Sequence, residues 1–262
     1  MQFSTSLYEA KLDEIVANAN LLANLRPLAA KHQSLISGSL YSLGEEGVNE
    51  ASAFNRVMES AKLDIASGLQ GLVLQAAGVL EQFLYDIVVR YVSEASAKAD
   101  HWSANDREHV IQTFILKGAM ILTHEPTGTF KGADFDFIQL RRNLAITLSD
   151  NSNAKMSGDV FVTRFGTCMP EKIERLFSEI HVPGPFDPAL GKHPAVKAYT
   201  KDSTPTSSAR QVRSELDNLG RLRNRLAHGI GTAGVTHNFT TNTAELVRAF
   251  TLGVTDRFVV GS

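Results

Sequence analysis

One cysteine in the whole chain, Cys168, rules out an internal disulfide and a thiolate metal cage. A buried, inert thiol is the expected state of such a residue, in keeping with a reducing compartment. Excess charge of either sign is missing as well. The 26 basic and 28 acidic side chains leave a formal net charge of -2, which excludes a generally basic nucleic-acid binder and requires any nucleic-acid site to be a local patch. Long apolar runs are scarce. The longest, around Leu72 to Leu80, is broken by Gln75 and followed by Glu81 and Gln82, and it reads as too short for a membrane span. The first residues, Met-Gln-Phe-Ser-Thr-Ser, have no basic region, apolar run and small-residue cleavage site of a secretory signal. The expectation is a soluble, cytoplasmic protein.

Strand-like alternation is nearly absent. Only Asp159-Val-Phe-Val-Thr163 has strand character, and it is too short to imply a sheet. There is no internal repeat and no low-complexity tract. Nor is there a His/Asp/Glu cluster with metal-ligand spacing: His124-Glu125 and His193 sit in turn-like sequence and read as solvated, so no metal and no cofactor are expected.

Helical periodicity is what the chain has in quantity. From Ser6 to about Leu25 apolar residues recur at three and four, until Pro27 should interrupt or kink the helix. Ser34 to Gly47 reads as a connection. From Asn49 to Ala99 there is no proline, which predicts either one very long helix or two meeting near Ala66-Ser67-Gly68. Its second part, Leu69 to Ala95, is apolar on most of its circumference and reads as the central core helix. Further helices are predicted over Arg107 to Thr123, Phe135 to Leu148 and Pro170 to His181, separated by the turn-rich Glu125 to Gly132 and the polar Asn151 to Gly158. Phe186 to Ser208, dense in proline, reads as a long surface loop. A helix then runs from Ser207-Ser208 to His228, with Gly229 as its left-handed cap. Gly231 to Thr241 reads as connection before a last helix capped by Asn242 or Thr243. The fold class is all-α: one elaborated domain over residues 1–262, a bundle with core helices at about 69–95 and 207–260 and a helical insertion at about 101–206.

Two charged residues are out of place in this pattern. Glu81 has Leu74, Ala77, Gly78, Leu84, Tyr85 and Val88 as its axial neighbours, so a carboxylate there is expensive unless a cation or donor meets it. On the helix ending at His228, the residues Val212, Leu216, Leu219, Leu222 and Leu226 fall within roughly 120° of one another at about 100° per residue. Arg223 falls inside that buried sector, and a guanidinium there needs a specific acceptor. Glu81 and Arg223 are therefore expected to meet. Beside the stripe lie Gly220, Ala227, Asn224, Asp217 and His228. The small pair Gly220 and Ala227 is expected to admit another backbone or a ligand, while Asn224 and His228 present hydrogen-bonding tips one turn apart. Arg221 and Arg225, further round, could reach phosphates. An arginine, an asparagine and a histidine beside a small-residue groove suit the handling of phosphate.

The Arg-x4-His spacing alone carries little weight. With 15 arginines and 8 histidines, about half a match is expected by chance. A histidine near a helix C-terminus is favourable for the helix dipole in any case.

The string Arg-Asn-Arg-Leu-Ala-His-Gly, Arg223 to Gly229, follows an earlier helix that carries Leu72-Val-Leu74 and Glu81-Gln-Phe83. Together these resemble the HEPN superfamily (higher eukaryotes and prokaryotes nucleotide-binding), and within it the RiboL-PSP and MAE-type prokaryotic proteins. The resemblance covers about Leu69 to Ala95 and Val212 to Phe258. It implies a HEPN-like bundle and a metal-independent endoribonuclease working as a homodimer, of the kind that serves as a toxin or an anti-phage defence effector with an antitoxin or defence-system partner. Residue by residue, Arg223 and His228 match the catalytic pair, Asn224 the polar residue after the arginine, and Glu81 an acidic position that holds the arginine. Relatives regulated by an adenylylating antitoxin carry a tyrosine two residues after the histidine; Ile230 stands here instead.

These residue types suit the reaction. Attack of a ribose 2′-hydroxyl on its own phosphodiester needs a proton acceptor, a donor for the leaving 5′-oxygen and cationic support for the phosphorane. Histidine titrates near neutrality and arginine offers a bidentate charge, so two copies on a two-fold axis would supply acid and base without a metal. One alternative is a non-catalytic RNA- or protein-binding dimerisation module. The other is a structural bundle in which Arg223 is merely an ion-pair member.

Overall fold

Leu72, Val73, Ala76, Ala77, Leu80, Phe83, Leu84, Ile87, Val88, Tyr91, Val92 and Ala95 repeat at intervals of three and four, and all are buried. In the computed structural model, which describes residues 3–40, 44–98, 100–124, 136–150, 154–163, 168–201, 204–229 and 234–258, they lie on a single helix. The chain order is α1 (Ser6–Leu40), α2 (Gly44–Ser96), α3 (Ala104–His124), α4 (Phe137–Ser149), α5 (Asp159–Val162), α6 (Pro170–Glu179), α7 (Pro188–Lys192), α8 (Pro194–Thr200), α9 (Pro205–Ala227) and α10 (His237–Thr255), then a 3-10 turn at Asp256–Phe258. Among the described residues there is no strand, and the all-α class holds.

Of the two readings for residues 49–99, the single helix is the observed one, and it starts earlier, at Gly44. α2 packs against α1, α10, α9 and α5, so the remaining core is arranged around it. Over Ile65–Ser96 it is long and apolar enough to cross a membrane by length and composition, more than the broken run at Leu72 to Leu80 implies, but its apolar residues are also the core of the bundle. The rings of Tyr91, Phe258 and Phe177 meet edge to face at 5.5 Å and 5.1 Å, tying the end of α2 to α6 and to the last turn of the chain.

Several expectations are corrected. Pro27 does not end α1, which continues to Leu40 with the proline ring exposed. The missing donor costs about 3 kcal/mol in a helix interior, and α1 packs against α2 despite it. The supposed connection at Ser34 to Gly47 is mostly helix, with 41–43 outside the described residues. The strand-like Asp159 to Thr163 forms the single turn α5, because Val160, Phe161 and Val162 are all buried against the bundle and no neighbouring strand exists among the described residues to pair with. α10 begins at His237, where Thr236 accepts a hydrogen bond from the Phe239 amide at 3.2 Å. The turn-rich 125–132 and Ile230 lie outside the described residues.

The largest correction concerns Phe186 to Ser208. Much of it is helical, and each short helix opens with an acceptor followed by proline. Asp187 accepts from the amides of Ala189 and Leu190 at 2.9 Å and 3.2 Å. His193, expected to be solvated, accepts at Nδ1 from the Ala195 amide at 3.2 Å and caps α8. Thr204 caps α9, which starts at Pro205 rather than Ser207. Proline at the first helical position loses no hydrogen bond, since that donor is unpaired anyway. Gly191 makes the packing possible: a Cβ there would lie 1.8 Å from the Pro205 carbonyl oxygen. Arg257 closes this corner with a 2.6 Å contact to Asp187. Burial raises the Asp187 pKa, but Arg257 and the two amides outweigh it and hold the carboxyl below its ordinary range. The insertion is thus not a separate layer; residues from α3 to α8 share the hydrophobic core with α2, α9 and α10.

Candidate functional site

The site is built where α9 crosses α2. Val212, Leu216 and Leu219 are buried, and Leu222 and Leu226 pack against the same core. This face carries Arg223 toward α2. The guanidinium Nη2 donates to Glu81 Oε2 at 3.4 Å, and Nη1 donates to Asn224 Oδ1 at 3.5 Å. The expected meeting of Glu81 and Arg223 is present. Their side chains retain 20% and 30% exposure, so the pair is half-buried and long rather than a tight, fully enclosed bridge.

The next turn of chain upstream of α6 joins the pair. The Cys168 thiol, buried as expected, donates to Glu81 Oε1 and to the Ala77 carbonyl, both at 3.9 Å. Burial and the neighbouring Glu81 charge push the thiol up to about 12, against an opposing pull from Arg223, so it stays protonated and acts as a donor. Glu81 is raised above the ordinary carboxyl range, because desolvation outweighs the lowering effects of Arg223, Cys168 and the more distant Lys172. A carboxyl made more basic than usual, with an arginine against one oxygen and a thiol against the other, is held in a defined orientation.

The flank of α9 differs from the expectation. Gly220 does not open onto a groove: a Cβ there would sit 2.6 Å from the Met169 sulfur, so a side chain of the same chain occupies the notch. The sequence offers no signal for this, since residues 169 and 220 come together only in the tertiary fold. Ala227 does remain exposed. Asp217 is half-buried and accepts from Arg221 at 2.8 Å. Arg221 and Arg225 both lie on the exposed side of α9.

His228 is the C-cap of α9, its backbone amide donating to the Asn224 carbonyl at 3.1 Å, and Gly229 follows with φ of 68°. That left-handed conformation turns the chain away from the helix, leaving the histidine exposed. Among the described residues the imidazole has no hydrogen-bond partner. Arg223, Asn224 and Glu81 are therefore brought together, while His228 stands apart at the helix end. Five residues on a helix correspond to about 140° of rotation, so Arg223 and His228 do not share a face.

Cys168, Met169 and Lys172 are site neighbours that residue patterns alone did not reveal. All come from the insertion, and only the lone-cysteine count marked one of them. No family model matches the chain, and no curated protein and no solved structure is similar to it.

Proposed function

We propose that the protein is a metal-independent endoribonuclease of HEPN type that works as a homodimer. The observation that carries this reading is the contact between Glu81 and Arg223 on the helix bearing Arg-Asn-Arg-Leu-Ala-His-Gly. It supplies a reason for a charged residue on each of two apolar faces, and it holds an arginine fork steady five residues before the exposed His228. Because Arg223 and His228 point about 140° apart, one chain does not aim both at one phosphodiester. A two-fold arrangement of two α9 helices brings the histidine of one subunit to the arginine of the other.

In the reaction, one His228 accepts the proton of the ribose 2′-hydroxyl as its oxygen attacks phosphorus. The bond from phosphorus to the 5′-oxygen breaks, and a second, protonated His228 donates to that leaving oxygen. The products are a 2′,3′-cyclic phosphate and a 5′-hydroxyl. Arg223 compensates the charge of the phosphorane and Asn224 orients the guanidinium, while Glu81 positions it from behind. Arg221 and Arg225 extend along the exposed side of α9 to flanking phosphates. We place this activity in the cytoplasm, in a toxin or anti-phage effector held in check by a partner protein.

One observation favours a second reading, a non-catalytic RNA- or protein-binding dimerisation module: the Arg223 fork is already engaged by both Glu81 and Asn224. Incubation of the purified protein with mixed RNA in EDTA separates the two. Wild type is expected to leave 2′,3′-cyclic phosphate ends, and His228→Ala, at an exposed position, to fold normally and cut nothing. RNA that is bound by wild type but recovered whole selects the binding module, whereas wild type that neither binds nor cuts RNA, or unfolding of His228→Ala, selects a purely structural bundle.

A further inference from the structure

Between α3, α5 and α6 lies a cleft of about 380 Å³, within the range of small-ligand sites. Its charge is uneven. Lys117, Lys172 and Arg175 line it with a single carboxylate, Glu179. That carboxylate is shared, accepting from Lys117 at 2.6 Å and from Arg175 at 2.9 Å. Lys117 is further committed to the Phe161 carbonyl at 2.9 Å and so belongs to the cleft wall. Three cations against one anion leave a surplus of two positive charges. The surplus sits on α6, where Lys172 and Arg175 are both exposed and three residues apart, hence neighbours on one helix face. Among the described residues Lys172 makes no ion pair. Across the cleft stands Met120, 51% exposed over a buried floor that includes Phe161.

A cation pair facing an exposed, polarisable thioether fits a ligand with a phosphate at one end and a flat apolar body at the other. The cleft also adjoins α9: the Lys172 amide donates to the carbonyl of Met169 at 3.0 Å, and the Met169 side chain fills the notch at Gly220. We propose that this cleft is a nucleotide subsite, in which Lys172 and Arg175 hold a phosphate and Met120 covers the base. The choice of a nucleotide over other apolar anions rests on the ribonuclease reading; the cation pair and its apolar wall do not. The nucleotide can come from a single RNA strand leading away from Arg223 or from the free pool.

Binding to the full-length protein tests this, using a labelled eight-nucleotide 2′-O-methyl RNA, which lacks the attacking hydroxyl and cannot be cut by this route, and in a second arm AMP against inorganic phosphate. The decisive variant is Lys172→Glu with Arg175→Glu. Its control is Lys11→Glu with Lys192→Glu, two exposed lysines elsewhere. The expected result is a loss of about tenfold or more in oligonucleotide affinity for the first pair alone, with a salt dependence shallower by about 0.7 per phosphate contact removed. Met120→Ala is expected to weaken AMP more than inorganic phosphate. Binding of the oligonucleotide without AMP identifies a strand subsite, and AMP binding lost in the same variant identifies a free-nucleotide site. Equal affinity in the two double variants, or no binding of either probe by wild type, overturns the proposal. Binding that depends on Lys172 and Arg175 while unmodified RNA is never cut keeps the subsite and removes the ribonuclease reading.

Discussion

Replacing Arg223 by methionine removes the guanidinium while keeping most of the length and apolar volume of the side chain, so its effect isolates the charge. Two unit charges about 4 Å apart attract by about 4 kcal/mol at an effective dielectric near 20. Here the closest contact is 3.4 Å and both partners keep some solvent exposure, so desolvation offsets a large share. Exposed pairs contribute about 0 to 1 kcal/mol and breaking a buried pair costs about 3 to 5. A half-buried, long pair belongs between them, and Arg223→Met is expected to cost about 1 to 2 kcal/mol, or a few degrees of melting temperature in a chain of this size. Glu81→Gln is expected to cost less or to stabilise. The folded-state pKa of Glu81 is raised above its unfolded value, so this group contributes stability at acid pH, and that contribution is lost as pH rises through the folded value. A glutamine, which cannot ionise, avoids that loss. The assay is a double-mutant cycle by urea unfolding. With Glu81→Gln in place, Arg223→Met should cost less than about 0.5 kcal/mol, giving a coupling of about 1 kcal/mol. An Arg223→Met cost unchanged by Glu81→Gln would refute the energetic link between the two residues.

Two further outcomes follow from the packing. Cys168 is fully buried with its thiol pushed up to about 12, so a disulfide reagent at pH 8 should leave the native protein unmodified and titrate one thiol only after urea unfolding; rapid reaction of the native protein would refute the placement. Gly191→Ala puts a Cβ against backbone, 1.8 Å from the Pro205 carbonyl oxygen, where no rotamer change relieves the clash. It should destabilise by about 3 kcal/mol or more, seen as a large fall in the urea midpoint, and an unchanged midpoint would show that α7 and α9 are not packed this closely.

What could be read from residues alone was long-range periodicity and its violations. The central helix, the leucine stripe of α9 and the cap at Gly229 are each set by many residues repeating one pattern, and Glu81 with Arg223 could be paired because both break such a pattern. Elements of one or two turns were not legible. In α7 and α8 the prolines and Gly191 look like loop, and the acceptor-proline openings at Asp187 and His193 carry meaning only once α9 and α10 pack over them. α5 is β-branched and aromatic because it is buried, not because it is extended. At the candidate site, the contact between α2 and α9 could be foreseen, but the filling of the Gly220 notch by Met169 could not. Shape complementarity between segments fifty residues apart leaves no trace in local composition.

The position of residues 168–172 bears on how far this protein could be trimmed. A minimal bundle made of α1, α2, α9 and α10 would retain Glu81, Arg223, Asn224 and His228, and on an inventory of residue types it would look complete. It would lack the thiol that donates to Glu81, the plug at Gly220 and the nearby ammonium of Lys172. Excising the insertion would leave the Gly220 notch open and the Glu81 carboxyl more exposed to solvent. The middle of the chain is the back wall of the site, and a shortened variant would inherit its residues without its environment.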